Sequence, residues 1–240
     1  MKNTQSNNKV AIVIPAYNES KVIGDVIKGV FSVFKNQKNY SFEVVVVNDG
    51  SKDNTTDEAK RAGAYVISHI LNSGSGSATA TGLSYAQQNG YDIAATMDAD
   101  GQHDPKDVLK GIEYLSENNT DLLIGSRLID AYGMSKVKVL GNKGLSFITY
   151  LLFGIGVTDS QSGMRVFSKK ALDNLRWRTS GYEFCSEMLW RAKQLNLNID
   201  EYPIKAIYTE YSKAKGQNNW NAVNIIKSLL QRRVMELFGE

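Results

Sequence analysis

Apolar residues enter this chain in two alternating rhythms. The run Val10–Pro15 is continuous and closed by proline, the pattern of a buried strand. Val22, Ile23, Val26, Ile27, Val30 and Phe34 then recur at helical spacing. The β-branched run Phe42–Gly50 predicts a second strand closed by a turn. A helix over Thr55–Ala62 and a third strand over Ala64–Ser68 follow. After a Gly/Ser turn come a helix from about Ser77 to Gln88 and a fourth strand at Asp92–Asp98. A helix at Asp107–Ser116 and a fifth strand at Asp121–Ser126 complete the series. Repeated strand–helix–strand units predict an α/β fold: a mostly parallel sheet with helices on both faces.

Past Ser126 the rhythm loosens. A polar loop, Arg127–Val139, carries Arg127, Lys136 and Lys138. The stretch Gly144–Val157 is apolar but too short to span a bilayer, and reads as a core or interfacial helix. A strand at Met164–Ser168, a helix near Tyr182–Leu195, a strand-like Ile199–Tyr208 and a helix over Trp220–Phe238 are expected. In that last helix Trp220, Val223, Ile226, Leu230, Val234 and Leu237 form one apolar stripe flanked by Lys227 and Arg233.

Composition narrows the class. The 240 residues are 42% hydrophobic and 22% charged, which excludes disorder, collagen and coiled coil as the main architecture. A formal charge of +3 is too small for a nucleic-acid footprint, so no nucleic-acid partner is expected. The single cysteine, Cys185, permits no intrachain disulfide and reads as a small buried residue, in keeping with a reducing compartment. The first eight residues lack the apolar core of a signal peptide, and no run reaches the roughly 18 apolar residues of a transmembrane helix.

Three strand ends carry the chemistry. They present Pro15–Glu19, Asn48–Ser51 and Asp98–Asp104, and ligands of such sheets sit at the carboxyl ends of strands. If the fourth strand continues through it, Asp98, Asp100 and Gln102 share one face. Two carboxylates and an amide oxygen suit Mg²⁺ or Mn²⁺, ions that keep waters and take phosphate as a ligand. His69 and His103 lack metal-ligand company, and neither reads as catalytic.

IVIPAYNE, VVNDGSKDNT, MDADGQHDP, LIGSR and SQSGMRVF stand in the order and approximate spacing of family-two glycosyltransferases. The chain most resembles the polyprenyl-phosphate, dolichol-phosphate mannose synthase-like branch, over roughly Val10 to Gln217. The resemblance implies a Rossmann-like GT-A fold over residues 1–217. Residues 218–240 would then form an amphipathic helix, part of the same domain or a membrane or partner contact. It also implies a UDP- or GDP-sugar donor, a Mg²⁺ or Mn²⁺ ion, and inversion as a hexose-type sugar passes to a polyprenyl phosphate. Carried over by position, Pro15, Tyr17 and Glu19 line the nucleotide pocket and Asp49 faces the base. Asp98 approaches ribose or metal, Asp100 and Gln102 hold the metal, Arg127 meets phosphate, and Ser162 and Arg165 lie beside the donor sugar or acceptor phosphate.

Some positions depart from the pattern. Asn48 precedes Asp49 where relatives often have a second Asp, and Ser75 stands where a Lys is common. Lys136, Lys138 and Lys143 occupy a region where relatives often carry Arg and are candidates for acceptor-phosphate contact. Ser212, Lys213 and Lys215 offer a lid over the diphosphate. A hydroxyl acceptor would need a general base, for which Glu183 and Glu187, four apart on a helix face, are the candidates. Other readings are a saccharide acceptor, a sugar nucleotidyltransferase, or a non-catalytic sugar-nucleotide scaffold. The location expected is cytoplasmic, peripheral at the inner face of the membrane, with a membrane protein or a second copy as a further partner.

Overall fold

The computed structural model describes residues 8–131 and 134–208, together with Tyr211 and Lys227. Its elements run β1 (Asn8–Ala16), α1 (Ile23–Phe34), β2 (Tyr40–Asn48), α2 (Thr55–Arg61), β3 (Tyr65–Ser68), α3 (Ser75–Gln88) and β4 (Ile93–Thr96). They continue α4 (Pro105–Glu117), β5 (Leu122–Ser126), α5 (Lys136–Phe153), β6 (Arg165–Ser168), α6 (Lys169–Asn174), α7 (Phe184–Gln194) and β7 (Ile199–Pro203). The seven strands form one sheet in the order β3-β2-β1-β4-β6-β5-β7. All pairings are parallel except those of β6, which runs antiparallel between β4 and β5.

Period-two alternation within β1 divides the core. Val10, Ile12 and Ile14 pack with Ile23, Val26, Ile27 and Val30 of α1 and with Val108 and Ile112 of α4. Ala11 and Val13 face the other way, onto Leu83 and Ala86 of α3 and a cluster that includes Phe153, Met188 and Leu189. Both faces are therefore covered, which is why the strands read as continuous apolar runs. Cys185 lies in the second cluster, and burial pushes its thiol up to about 11.

Three differences from the sequence pattern matter for the site. First, β4 stops at Thr96, so Asp98 and Asp100 sit on a turn completed by Gly101 at φ +77° rather than on a pleat. Second, α5 begins at Lys136, eight residues before the apolar stretch, because Ser135 caps it by accepting from the Lys138 N–H at 3.4 Å. Third, β7 ends at Pro203, and the following segment instead lies along residues 102–103. There the Ile207 N–H donates to the Gln102 carbonyl at 2.9 Å, and Ala206 bridges to His103. The short α6 escaped the pattern because one turn of helix has no periodicity to read. Of the predicted helix over 220–238, only Lys227 falls within the described residues.

Candidate active site

The turn after β4 is built around His103, which is buried. Its Nδ1 accepts the Asp98 N–H at 3.1 Å. Burial, then the nearby Arg127 charge, lowers its pKa to about 4, so the imidazole is neutral. A neutral ring that accepts at Nδ1 carries its proton on Nε2, which lies 3.8 Å from Asp98 Oδ2. His103 thus holds the turn in shape. Asp98 lies in a recess where 48% of its side chain meets solvent, yet desolvation dominates and raises its pKa. Asp100 is raised by desolvation and then by the Asp98 charge.

Gln102 departs from the expected ligand set. Its side-chain amide donates to Asp100 Oδ2 at 2.5 Å, and its N–H donates to Asp100 Oδ1 at 3.0 Å. It positions Asp100 instead of extending a row of oxygens.

Around Asp98 the charges are unbalanced. Arg127 and Arg165 attract it, while Glu19 and Asp159 repel it, and Asp100 adds a further negative charge. Four carboxylates thus gather near two guanidiniums at this turn. No cluster of three or more His, Cys, Asp or Glu suited to an ion exists among the described residues. Two hard carboxylates with raised pKa values fit a divalent cation that takes its remaining ligands from water and phosphate.

Arg127 follows β5 and is the site's ordered cation. Its Nε donates to Asp159 Oδ2 at 2.7 Å and its Nη2 to Asp159 Oδ1 at 2.9 Å, a parallel fork. Burial opposes its charge, but the fork overrides burial and raises its pKa. Asp159 is fully buried and also accepts the Arg127 N–H at 3.1 Å. The Thr158–Asp159 backbone is clamped in turn by Glu201 of β7, which accepts the Thr158 N–H at 2.8 Å and the Asp159 N–H at 3.2 Å.

Several expected roles are overturned. Arg165 is 1% exposed, and its guanidinium donates to the carbonyls of Ser160, Ser162 and Cys185. It ties the Ser160–Ser162 loop to α7 and has no route to a phosphate. Ser162 is fully buried, so its hydroxyl does not line the open site. Asp49 does not face a base. It is buried and accepts the Ser73 and Gly74 N–H groups at 2.9 and 2.8 Å, with His69 Nδ1 at 2.8 Å. His69 also reaches Thr81 Oγ1 at 2.9 Å, so the pair shapes the Asn72–Gly74 turn.

Glu187 is likewise no surface base. It is buried, accepts the N–H groups of Arg178 and Thr179, and sits 3.6 Å from Arg191. That loop receives the start of α3, where the Gly76 N–H donates to the Ser180 carbonyl at 2.7 Å. Glu183 precedes α7 as its N-cap residue, so the two acids do not share an exposed helix face.

Other predicted residues do converge. The end of β1 brings Pro15, the exposed Tyr17 and the buried Glu19 toward the turn. Glu19 Oε2 accepts the Tyr211 hydroxyl at 2.8 Å, which fastens the chain just before Ser212 to this rim. Lys138, in the first turn of α5, places Nζ 4.7 Å over the Tyr208 ring, and Tyr208 senses Arg127, Asp159 and Asp100. Tyr182 feels Asp98, Asp100 and Glu19, so it stands at the same mouth. Lys215, Ser212 and Lys213 lie outside the described residues. Sequence reasoning missed Asp159 although it abuts the SQSGMR block, and missed Glu201, which stands beside Asp200 in a strand with no motif to mark it.

Comparison with known proteins places this geometry. The family described as Glycosyl transferase family 2 matches residues 11–176. UDP-N-acetylglucosamine--dolichyl-phosphate N-acetylglucosaminyltransferase of Methanococcus voltae is 42% identical, covering 94% of this chain and 96% of that one. Undecaprenyl-phosphate mannosyltransferase of Micrococcus luteus is 28% identical, covering 86% and 87%. The fold matches Mycobacterium tuberculosis glucosyl-3-phosphoglycerate synthase, solved with Mn²⁺, UDP-glucose and phosphoglyceric acid. That match has a TM-score of 0.71 at 19% identity and covers 94% of this chain and 79% of that one. With its single mixed sheet, acidic turn after β4 and Arg127 fork, the chain belongs to glycosyltransferase family 2 and is a glycosyltransferase of the GT-A fold.

Proposed function

We propose that this enzyme moves a sugar from a nucleoside-diphosphate donor to a polyprenyl phosphate, inverting the anomeric carbon, with Mg²⁺ or Mn²⁺ held by Asp98 and Asp100. The observation that carries this is the excess of carboxylates around Asp98. A diphosphate cannot approach such a site unless its own charge and that of the turn are bridged by a cation. When bound, the ion supplies Lewis-acid stabilisation of the leaving diphosphate. Arg127, fixed by Asp159, supplies a preorganised positive charge on the same side, and nothing need reorganise as negative charge develops. Tyr17, Pro15 and Glu19 shape the nucleotide end, and Lys138 stands where an acceptor phosphate would enter.

An ionised phosphate is a competent nucleophile without a general base. The engagement of Glu187 with backbone N–H groups supports such an acceptor, because one of the two candidate bases for a hydroxyl acceptor, Glu187, is occupied. Membership in the glycosyltransferase family sets aside the nucleotidyltransferase and scaffold readings. The Methanococcus voltae relative supports UDP over GDP and makes N-acetylglucosamine the first sugar to test beside the plain hexoses. The test supplies UDP-N-acetylglucosamine, UDP-glucose and GDP-mannose in turn, with polyprenyl phosphate and Mn²⁺, and follows glycolipid by thin-layer chromatography. Glycolipid with release of a nucleoside diphosphate is expected. Sugar appearing only on an added saccharide, never on the lipid phosphate, would overturn the acceptor assignment.

A further inference from the structure

Two neighbouring acids of β7, Asp200 and Glu201, point to opposite faces of the sheet, as successive positions on a strand must. Asp200 turns to α4, where its Oδ2 accepts the Tyr114 hydroxyl at 2.7 Å. Glu201 turns to the loop before β6 and is the more heavily engaged. Its Oε1 takes three donors: the Thr158 N–H at 2.9 Å, the Thr158 hydroxyl at 2.8 Å and the Asp159 N–H at 3.2 Å. Its Oε2 lies 2.8 Å from the same Thr158 nitrogen. Because the Thr158 hydroxyl donates to Glu201, it accepts from Ser126 Oγ at 2.6 Å, and Ser126 Oγ in turn accepts the Leu128 N–H at 3.2 Å. The residues on either side of Arg127 are therefore joined to the loop that carries its partner.

Asp159 commits its side chain to Arg127. Both of its oxygens receive the guanidinium, and Oδ2 also receives the Arg127 N–H. The place of that carboxylate is consequently set by its own backbone. At Thr158 and Asp159 the backbone N–H groups hang on Glu201, and the next one, of Ser160, donates to Ser146 Oγ at 2.9 Å. Asp159 is fully buried and close-packed, so a shift of its backbone is passed on to the guanidinium rather than absorbed. The chain leaving β7 also holds the acidic turn, through Ile207 at Gln102 and Ala206 at His103. One strand and its continuation thus set the place of both the cation and the carboxylates of the site.

We propose that Glu201 is a positioning residue for sugar transfer: through Thr158 and Asp159 it holds the Arg127 guanidinium where the leaving diphosphate gathers charge. The inference rests on the assignment of Arg127 to the diphosphate, and it adds a residue that touches neither substrate nor Arg127 itself. An amide at this position supplies one acceptor oxygen and turns an NH₂ toward the Thr158 N–H, donor against donor. It also exchanges charge-assisted bonds for weaker neutral ones. The fork then keeps its partner but loses its fixed place.

The experiment compares wild type with Glu201→Gln, and with Asp200→Ala as a control on the same strand. Glu201→Gln is made in the Arg127 background and again in the Arg127→Lys background. Tm is measured with kcat and KM for transfer from UDP-N-acetylglucosamine to polyprenyl phosphate with Mn²⁺, and hydrogen exchange at Arg127 Nε is followed by NMR. A displacement of about 1 Å costs about 100-fold, so the smaller drift of the fork in Glu201→Gln should lower kcat about tenfold. The KM for the donor should stay within about twofold, and exchange at Arg127 Nε should quicken about fivefold or more. Asp200→Ala should lower Tm and leave kcat, KM and exchange at their wild-type values. In the Arg127→Lys background Glu201→Gln should cost less than about twofold in kcat, since the group that it positions is gone. Unchanged kcat and exchange in Glu201→Gln overturns the proposal, and so does the same loss of kcat in both backgrounds. Asp200→Ala reproducing the loss in kcat overturns it as well, because any disturbance of β7 would then suffice. Should Glu201→Gln fail to fold, Glu201→Asp, which keeps the charge but withdraws it by one methylene, is judged by the same readings. An Arg127→Lys enzyme of wild-type rate would instead strike Arg127 from the reaction, a failure of the assignment on which the inference rests; exchange at Nε decides the hold of Glu201 on the fork by itself.

Discussion

Gly163→Ala isolates the acidic turn from the rest of the fold. A Cβ at this position would stand 2.2 Å from Asp98 Oδ1 and 2.7 Å from its Cγ. The backbone of Gly163 cannot yield easily, because its carbonyl accepts the Thr96 hydroxyl at 2.8 Å. The carboxylate must therefore retreat by about 1 Å to regain ordinary contact. Misplacing a charged group by that distance costs about 100-fold in rate, or about 2.7 kcal/mol in the barrier. Stability should change little, since the clash falls on the mobile end of a side chain. The assay is kcat/KM for sugar transfer over a Mn²⁺ series, with Tm measured on the same samples. A variant with wild-type Tm, wild-type rate and unchanged Mn²⁺ dependence would refute the placement of Asp98 at the reacting diphosphate.

Other expectations follow from single contacts. Asp159→Asn removes one arm of the Arg127 fork within a buried pair; stability should fall by about 3 kcal/mol, a Tm loss of roughly 6–12 °C, and kcat should fall more than KM rises. Arg165→Lys should lower Tm by a comparable amount, because an ammonium cannot reach three carbonyls at once. The KM for the donor should stay within about twofold, a loss confined to stability. Arg127→Lys should show the reverse pattern, impaired rate with a smaller change in Tm. Lys170→Met tests pH linkage away from the site. Burial opposes ionisation of Asp121, but its bonds to Lys170, Asn198 and Ser168 prevail and depress its pKa. The stability from that pairing is therefore present above the ordinary carboxylate range and lost as pH falls through the depressed pKa. The wild-type advantage over Lys170→Met should be below about 1 kcal/mol at neutral pH, the lysine being half exposed, and should vanish in acid.

How much of this was legible in the residues depends on how local the signal is. The strands β1, β2 and β5 announce themselves because burial on both faces demands unbroken β-branched runs, and their order with α1 to α4 sets the sheet. The acidic turn was found as a composition, but whether the strand continued through it stayed open, because only tertiary contacts stop β4 at Thr96 and let Gly101 reverse the chain. Arg165 and Glu187 were read by residue type as solvent-facing chemistry. Their partners are backbone groups 3–20 and 8–9 residues away, in loops whose course no periodicity reveals. Asp159 and Glu201 were invisible for the same reason: the fork and its clamp join β5 to β7 across a loop. The start of α5 was hidden by lysines and glycines that weaken its pattern, yet Ser135 supplied a capping residue that could have marked it.

Binding of UDP in the presence and absence of Mn²⁺ tests the central claim most directly, measured by calorimetry on the wild type and on Asp100→Asn. The excess of carboxylates around Asp98 predicts that wild type binds UDP at least tenfold more tightly with Mn²⁺ than with chelator. The same argument predicts that Asp100→Asn loses most of that gain while keeping its Tm. Equal UDP affinity with Mn²⁺ and with chelator, in a folded wild-type protein, would contradict the account.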